Sequence, residues 1–97
     1  MGNVNRMHDM KYVVFANPVG KETIAIFPSI VMHVEMADLV KGVSKRLKPI
    51  SAGFINERGE CYGESISLGG LESREQEDTS LLNDLVFPDR TYDAIAW

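Results

Sequence analysis

The alternation of apolar and polar positions divides the chain into six elements. "KYVVFAN", Lys11 to Asn17, and "ETIAIFP", Glu22 to Pro28, are rich in β-branched and aromatic residues and read as strands. Between them "NPVGK" places Pro18 and Gly20, residues suited to a tight reversal, so the two strands form an antiparallel hairpin. From Met32 to Leu47 the period changes. Met36, Val40, Val43 and Leu47 recur at intervals of four, three and four, the stripe of a helix. Ser29 or His33 begins this helix, and a run of cations followed by Pro49 ends it. Gly42 in its middle costs about 1 kcal/mol of helix propensity relative to alanine.

After Pro49, "ISAGFIN" and "ECYGESISL" again have strand composition, separated by "NERG", where Asn56 and Gly59 suit the left-handed angles of a hairpin loop. Alternation sets Ile50, Ala52 and Phe54 against Ser51, Gly53 and Ile55. In the second strand it sets Tyr62, Glu64, Ile66 and Leu68 against Cys61, Gly63, Ser65 and Ser67. One face is thus lined by very small groups, which lets a helix or another backbone come close. "LESREQEDTSLLNDLV" offers Ser73 and Gln76 at capping-box spacing, acidic residues for a helix N-terminus, and a stripe of Leu81, Leu82, Leu85 and Val86. This second helix runs from about Arg74 to Val86 and stops before Phe87-Pro88. "PDRTYDAIAW" is either a tail across the body or a short extra strand. The order ββαββα predicts an α+β fold, a four-stranded, mostly antiparallel sheet with two helices on one face. It forms one domain over 1–97, with 1–10 a flexible lead-in, 11–86 the core and 87–97 a C-terminal tail.

Composition narrows the class. At 97 residues, with 44% hydrophobic and 25% charged positions, the chain fits one soluble globular domain. Its apolar runs fall far short of the roughly 18 to 20 residues a bilayer requires. The opening "MGNVNR" has Arg6 where myristoylation wants Ser or Thr, and no secretory h-region follows. A single cysteine fits a reducing compartment, so the expected location is cytoplasmic. The net charge of −4 disfavours attraction to phosphate backbones. The exception is the patch Lys41, Lys45, Arg46 and Lys48, which also suits the C-terminal end of a helix dipole.

Candidate chemistry is sparse. Cys61 as a nucleophile needs a base or a helix N-terminus. Only His8 and His33 are available, and His33 is the alternative thiol-site partner, with Ser65 or Ser67 as further polar groups of a thiol-dependent enzyme or small-molecule pocket. As a small, weakly polar residue Cys61 equally suits a packed position. Two histidines and one cysteine give no zinc spacing, so no metal or other cofactor is expected. "LGG" lacks the Lys-Ser/Thr of a phosphate loop. Glu72, Glu75, Glu77 and Asp78 read as a solvated helix face. Tyr62, Tyr92 and Trp97 are candidate anchors for a protein partner, being of types enriched at interface hot spots. An open sheet edge also permits pairing with a second copy as a homodimer.

"PISAGF" followed by "CYGESISLG" and "LESREQEDTSLLN" resembles a pattern in short, uncharacterised proteins of tailed bacteriophages. The resemblance covers Pro49 to Asn83, with a weaker match in "VVF" and "IFP". This chain departs from it by the additional glycine of "LGGLESR" and by Glu75 in place of a proline. The resemblance implies a small protein made in the cytoplasm of an infected bacterium, where such accessory products typically bind a host or phage component. With no catalytic constellation in the sequence, the expected function is non-enzymatic protein–protein interaction, a host defence component being one candidate partner.

Overall fold

The computed structural model describes residues 9–86. In chain order the elements are β1 (Met10–Ala16), β2 (Glu22–Phe27), α1 (His33–Val43), β3 (Lys48–Ile55), β4 (Cys61–Tyr62), β5 (Glu64–Ser65), β6 (Leu71–Glu72) and α2 (Glu75–Val86). The fold is α+β. Strands β2, β1, β3 and β4 form one four-stranded sheet in that spatial order, every neighbour antiparallel.

Both main hairpins turn in the same way. Asn17 Oδ1 accepts the amides of Val19 and Lys21, and Asn56 Oδ1 accepts those of Arg58 and Glu60. Four residues after each asparagine, the strands close with a bond from the asparagine amide to the carbonyl of Lys21 or Glu60. The expected left-handed Asn56 is corrected: among the described residues only glycines have positive φ, and Asn56 serves through its side chain.

The helices lie on opposite faces of the sheet, which corrects their expected placement on one. Val13, Phe15, Phe27 and Ala52 pack with Ala37, Met36 and Val40 of α1. Tyr12, Val14, Ile24, Ile55 and Cys61 pack with Leu81 and Leu82 of α2. Successive side chains of a strand point to opposite faces, so consecutive Tyr12 to Phe15 divide between the two clusters. β1 is therefore covered on both sides, with all four residues buried.

Two strand details also differ from expectation. The pairing of β1 with β3 shifts between Val14 and Phe15, which leaves Ile50 without a partner and turns it toward the α2 face beside Ser51. "ECYGESISL" is not one strand. Gly63, at φ 84°, ends β4 after two residues, and β5 then pairs with β6 in a separate two-stranded sheet. That small hairpin packs along β3. In α1 the stripe stops at Val43, which is exposed, while Leu47 reaches the core from the turn after the helix.

Gly53 shows why β3 carries small residues. A Cβ there would overlap the Tyr62 carbonyl oxygen and stand 3.2 Å from Ser73 Cβ. The glycine lets β4 and the entry to α2 close on the strand.

Candidate functional site

Two polar or aromatic constellations emerge, one on each face. On the α2 face, Tyr12 is fully buried and its hydroxyl donates to Asp78 Oδ2 at 2.6 Å and lies 2.5 Å from Ser73 Oγ. Asp78, also fully buried, accepts the Arg74 amide at Oδ2 and Arg74 Nε at Oδ1, each at 2.9 Å. The Arg74 guanidinium then spans to Glu22 through two hydrogen bonds of 3.1 and 2.9 Å. Hydrogen bonding to Arg74 holds the Glu22 carboxyl below its usual range, and burial followed by the Asp78 bond drives the Tyr12 hydroxyl up. The assembly ties β1, β2 and β3 to the first turn of α2. Each side-chain polar atom in it has a partner within the network, which rigidifies the fold.

This network corrects two expectations. Asp78 is buried, unlike its exposed neighbours Glu75 and Glu77. Ser73 makes no capping box with Gln76; Asp78 takes the Arg74 amide while Ser73 meets Tyr12.

Cys61 belongs to this same side. It is buried, its amide donates to Thr79 Oγ1 at 2.9 Å, and burial pushes its thiol up to about 11. Such a thiol stays protonated at neutral pH, the reverse of an activated nucleophile. His33 packs against the opposite face of the sheet, with Phe27 and Phe54. The structure does not bring Cys61 and His33 together. His8 lies outside the described residues.

On the α1 face a groove of about 590 Å³ opens between the start of α1, the β3–β4 pair and the β5–β6 turn. Its floor is a row of rings. His33 meets Phe27 edge-on at 5.5 Å and Phe54 at 5.6 Å, and Phe54 meets Tyr62 at 5.7 Å. His33 Nε2 lies 2.8 Å from the Gly53 carbonyl, which only accepts, so Nε2 carries the hydrogen and Nδ1 is left as an acceptor. Burial holds the His33 pKa below its ordinary value and keeps the ring neutral. Met32 and Ile66 form the lips, 49% and 84% exposed, with Lys11 and Glu64 beside them. Lys11 Nζ donates to the Val31 carbonyl at 3.0 Å, which fixes the approach to α1. Ser67 Oγ accepts the Val34 amide at 3.1 Å and ties the β5–β6 turn to the helix.

Tyr62, expected as a partner anchor, is half-buried in this wall, and its hydroxyl donates to Asp9 Oδ2. Asp9 is buried, and its Oδ1 has no hydrogen-bond partner among the described residues. Tyr92 and Trp97 lie outside the described residues. Ser65 is buried and caps the β5–β6 turn through the Leu68 amide. Lys41, Lys45, Arg46 and Lys48 are all exposed around the end of α1. Three of them, with Leu47 and Pro49, line a shallow hollow. Among the described residues no three His, Cys, Asp or Glu side chains gather to hold a metal ion, and no helix is long and apolar enough to cross a membrane.

Phe54, Met32 and Lys11 line the groove although the sequence alone attaches no site role to them. The Asn56 turn held the signal for Phe54, since its closure sets Phe54 opposite Tyr62 on one face. Compared with known protein families, with curated proteins and with solved structures, the chain matches none.

Proposed function

We propose that this protein is a small non-enzymatic accessory protein of the tailed-bacteriophage type, working in the bacterial cytoplasm by binding a protein partner, such as a host defence component, at the Tyr62 groove. The observation that carries the reading is the exposure of Ile66 and Met32 above a floor of packed rings. A large aliphatic residue 84% exposed at the mouth of an aromatic-floored groove has the arrangement of an anchor awaiting a complementary surface. The walls are preorganised by Ser67 on α1 and by Lys11 on the Val31 carbonyl, so little ordering cost falls on binding. The resemblance of Pro49 to Asn83 to phage proteins supports the host setting.

The test compares capture by the tagged protein and by groove variants from bacterial lysate. Ile66→Glu and Met32→Lys change exposed side chains and leave the fold intact. Each reduces retention of a stoichiometric partner by about tenfold or more, whereas Arg58→Ala, in the distant β3–β4 turn, has no effect. A partner held equally by all four proteins would place recognition elsewhere and refute the groove.

A further inference from the structure

The opposite side of the sheet carries a separate feature, independent of the groove. β2 is an edge strand, and among the described residues its outer row of N–H and C=O groups has no strand partner. Proteins blunt such edges with lysine, proline, bulges or very short strands. The six residues of β2, "ETIAIF", contain none of these devices, and the one charge among them, Glu22, is drawn back to Arg74. The far side of the sheet is different, because β4 and the β5–β6 hairpin cover β3.

Exposed aliphatic side chains gather along the β2 side. Val19 and Ile30, each 87% exposed, stand in the turns at the two ends of β2, and Ile26 projects from the strand toward the α2 face. Leu39 and Val43, 65% and 89% exposed, lie on α1. Their direction follows from helix geometry. At about 100° per residue they fall on the flank opposite Val34. Val34 is tied to Ser67 of the β5–β6 turn, beyond β3, while Ala37 faces the sheet. α1 lies over β1 and β3, so its opposite flank faces the β2 side of the sheet.

This surface is complementary to itself. α1 starts beside Phe27 and Gly53 and ends at the turn into Lys48, which pairs with Ala16 near Glu22. Acidic Glu35 thus stands at the Phe27 end, and Lys21, Lys45 and Arg46 stand at the Glu22 end. A two-fold axis normal to the sheet, just outside β2 and level with its middle, lays the strand antiparallel beside its copy. It brings the Val19 turn of one copy to the Ile30 turn of the other and sets the cationic end of each against the partner's Glu35. It also opposes the dipoles of the two α1 helices.

We infer that β2 is a self-association edge through which two copies of this chain join their sheets into one.

The full chain is tested by sedimentation equilibrium together with hydrogen exchange at concentrations above and below the midpoint of association. The expected result is a dimer whose formation slows exchange of amides within Glu22–Phe27 by about tenfold or more. Thr23→Lys and Val43→Glu, both at exposed positions, each weaken the dimer about tenfold or more, with unchanged circular dichroism. A monomer at every concentration overturns the inference, as does a dimer whose protection falls outside β2. Protection of β2 that ignores concentration and disappears when residues 87–97 are removed also overturns it, because the chain's own C-terminal residues would then occupy the edge.

Discussion

Tyr12 joins the apolar core to the polar network through one side chain. Its ring fills the centre of the α2-face cluster, and its hydroxyl supplies one of the bonds that keep the fully buried Asp78 carboxylate satisfied. Tyr12→Phe keeps the packing and removes the hydroxyl, and with it the bonds to Asp78 and Ser73. It is expected to destabilise by about 1–3 kcal/mol, the cost of a buried acceptor losing a partner. Asp78→Ala removes the carboxylate from beneath Arg74 and costs more, about 3–5 kcal/mol, because Arg74 is itself partly buried and loses its buried counter-charge, keeping Glu22 and the Ser51 hydroxyl. Urea unfolding of the two variants measures both. A Tyr12→Phe cost near zero would show that the ring position, and not the hydroxyl, anchors the network, whereas a cost equal to that of Asp78→Ala would show that the network fails as a unit once the hydroxyl is gone. None of this could be read in advance, since Asp78 sits in an acidic run that looks the same whether its carboxylate meets water or a tyrosine 66 positions away. Cys61 was more legible: its small, weakly polar neighbourhood already suited a packed thiol, and the structure places it there.

Elements were read with uneven success, for reasons that trace to particular residues. The helices announced themselves through their period and the two turns through Pro18, Gly20 and Gly59, because both signals are local, while the side-chain bonds of Asn17 and Asn56 that close the turns had no expectation attached to them. The side of the sheet each helix covers is not local. One clue was present: the run Tyr12-Val13-Val14-Phe15 has no polar alternation, the mark of a strand buried on both faces. The β5–β6 hairpin was hidden because Gly63 interrupts a sequence whose alternation otherwise continues. The glycines of the regular elements separate these influences experimentally. Gly42 lies in α1 where an added methyl would have nothing within 4 Å, so Gly42→Ala should raise stability by about 0.5–1 kcal/mol through helix propensity alone. Gly53→Ala should do the opposite, because its methyl collides with the Tyr62 carbonyl and β4 must move. Thermal melts of the two variants test this pair, and a neutral Gly53→Ala would mean that β4 is not held against β3 as described.

At the scale of the molecule, the two faces place titrating groups in different surroundings, and the dependence of stability on pH should report both. His33, on the α1 face, has a folded pKa held below its unfolded value near 6.5 by burial, reinforced by the Lys11 charge and opposed by the bond to Gly53. Below that value the unfolded chain binds a proton that the folded protein does not. His33 thus contributes stability that is complete above about pH 6.5 and is lost as pH falls through the folded value. Glu22, with its pKa lowered by Arg74, behaves in the same sense in a more acidic window, its contribution being present above about 4.3 and lost below. Cys61, on the other face, has the opposite sign. Its folded pKa of about 11 exceeds the unfolded value near 8.5, so its contribution is complete below the unfolded value and lost as pH rises toward 11. Tyr12, also raised, extends that alkaline decline. The expected profile is a plateau from about pH 7 to 8 with a fall on either side. His33→Gln, which keeps a donor for the Gly53 carbonyl, should flatten the decline that begins below about pH 6.5 while leaving the alkaline limb unchanged, and Cys61→Ala should do the reverse. Urea midpoints across pH measure both. If His33→Gln leaves the acid limb as steep as before, the imidazole is not held neutral between Phe27 and Phe54, and the ring floor of the groove is looser than its geometry requires.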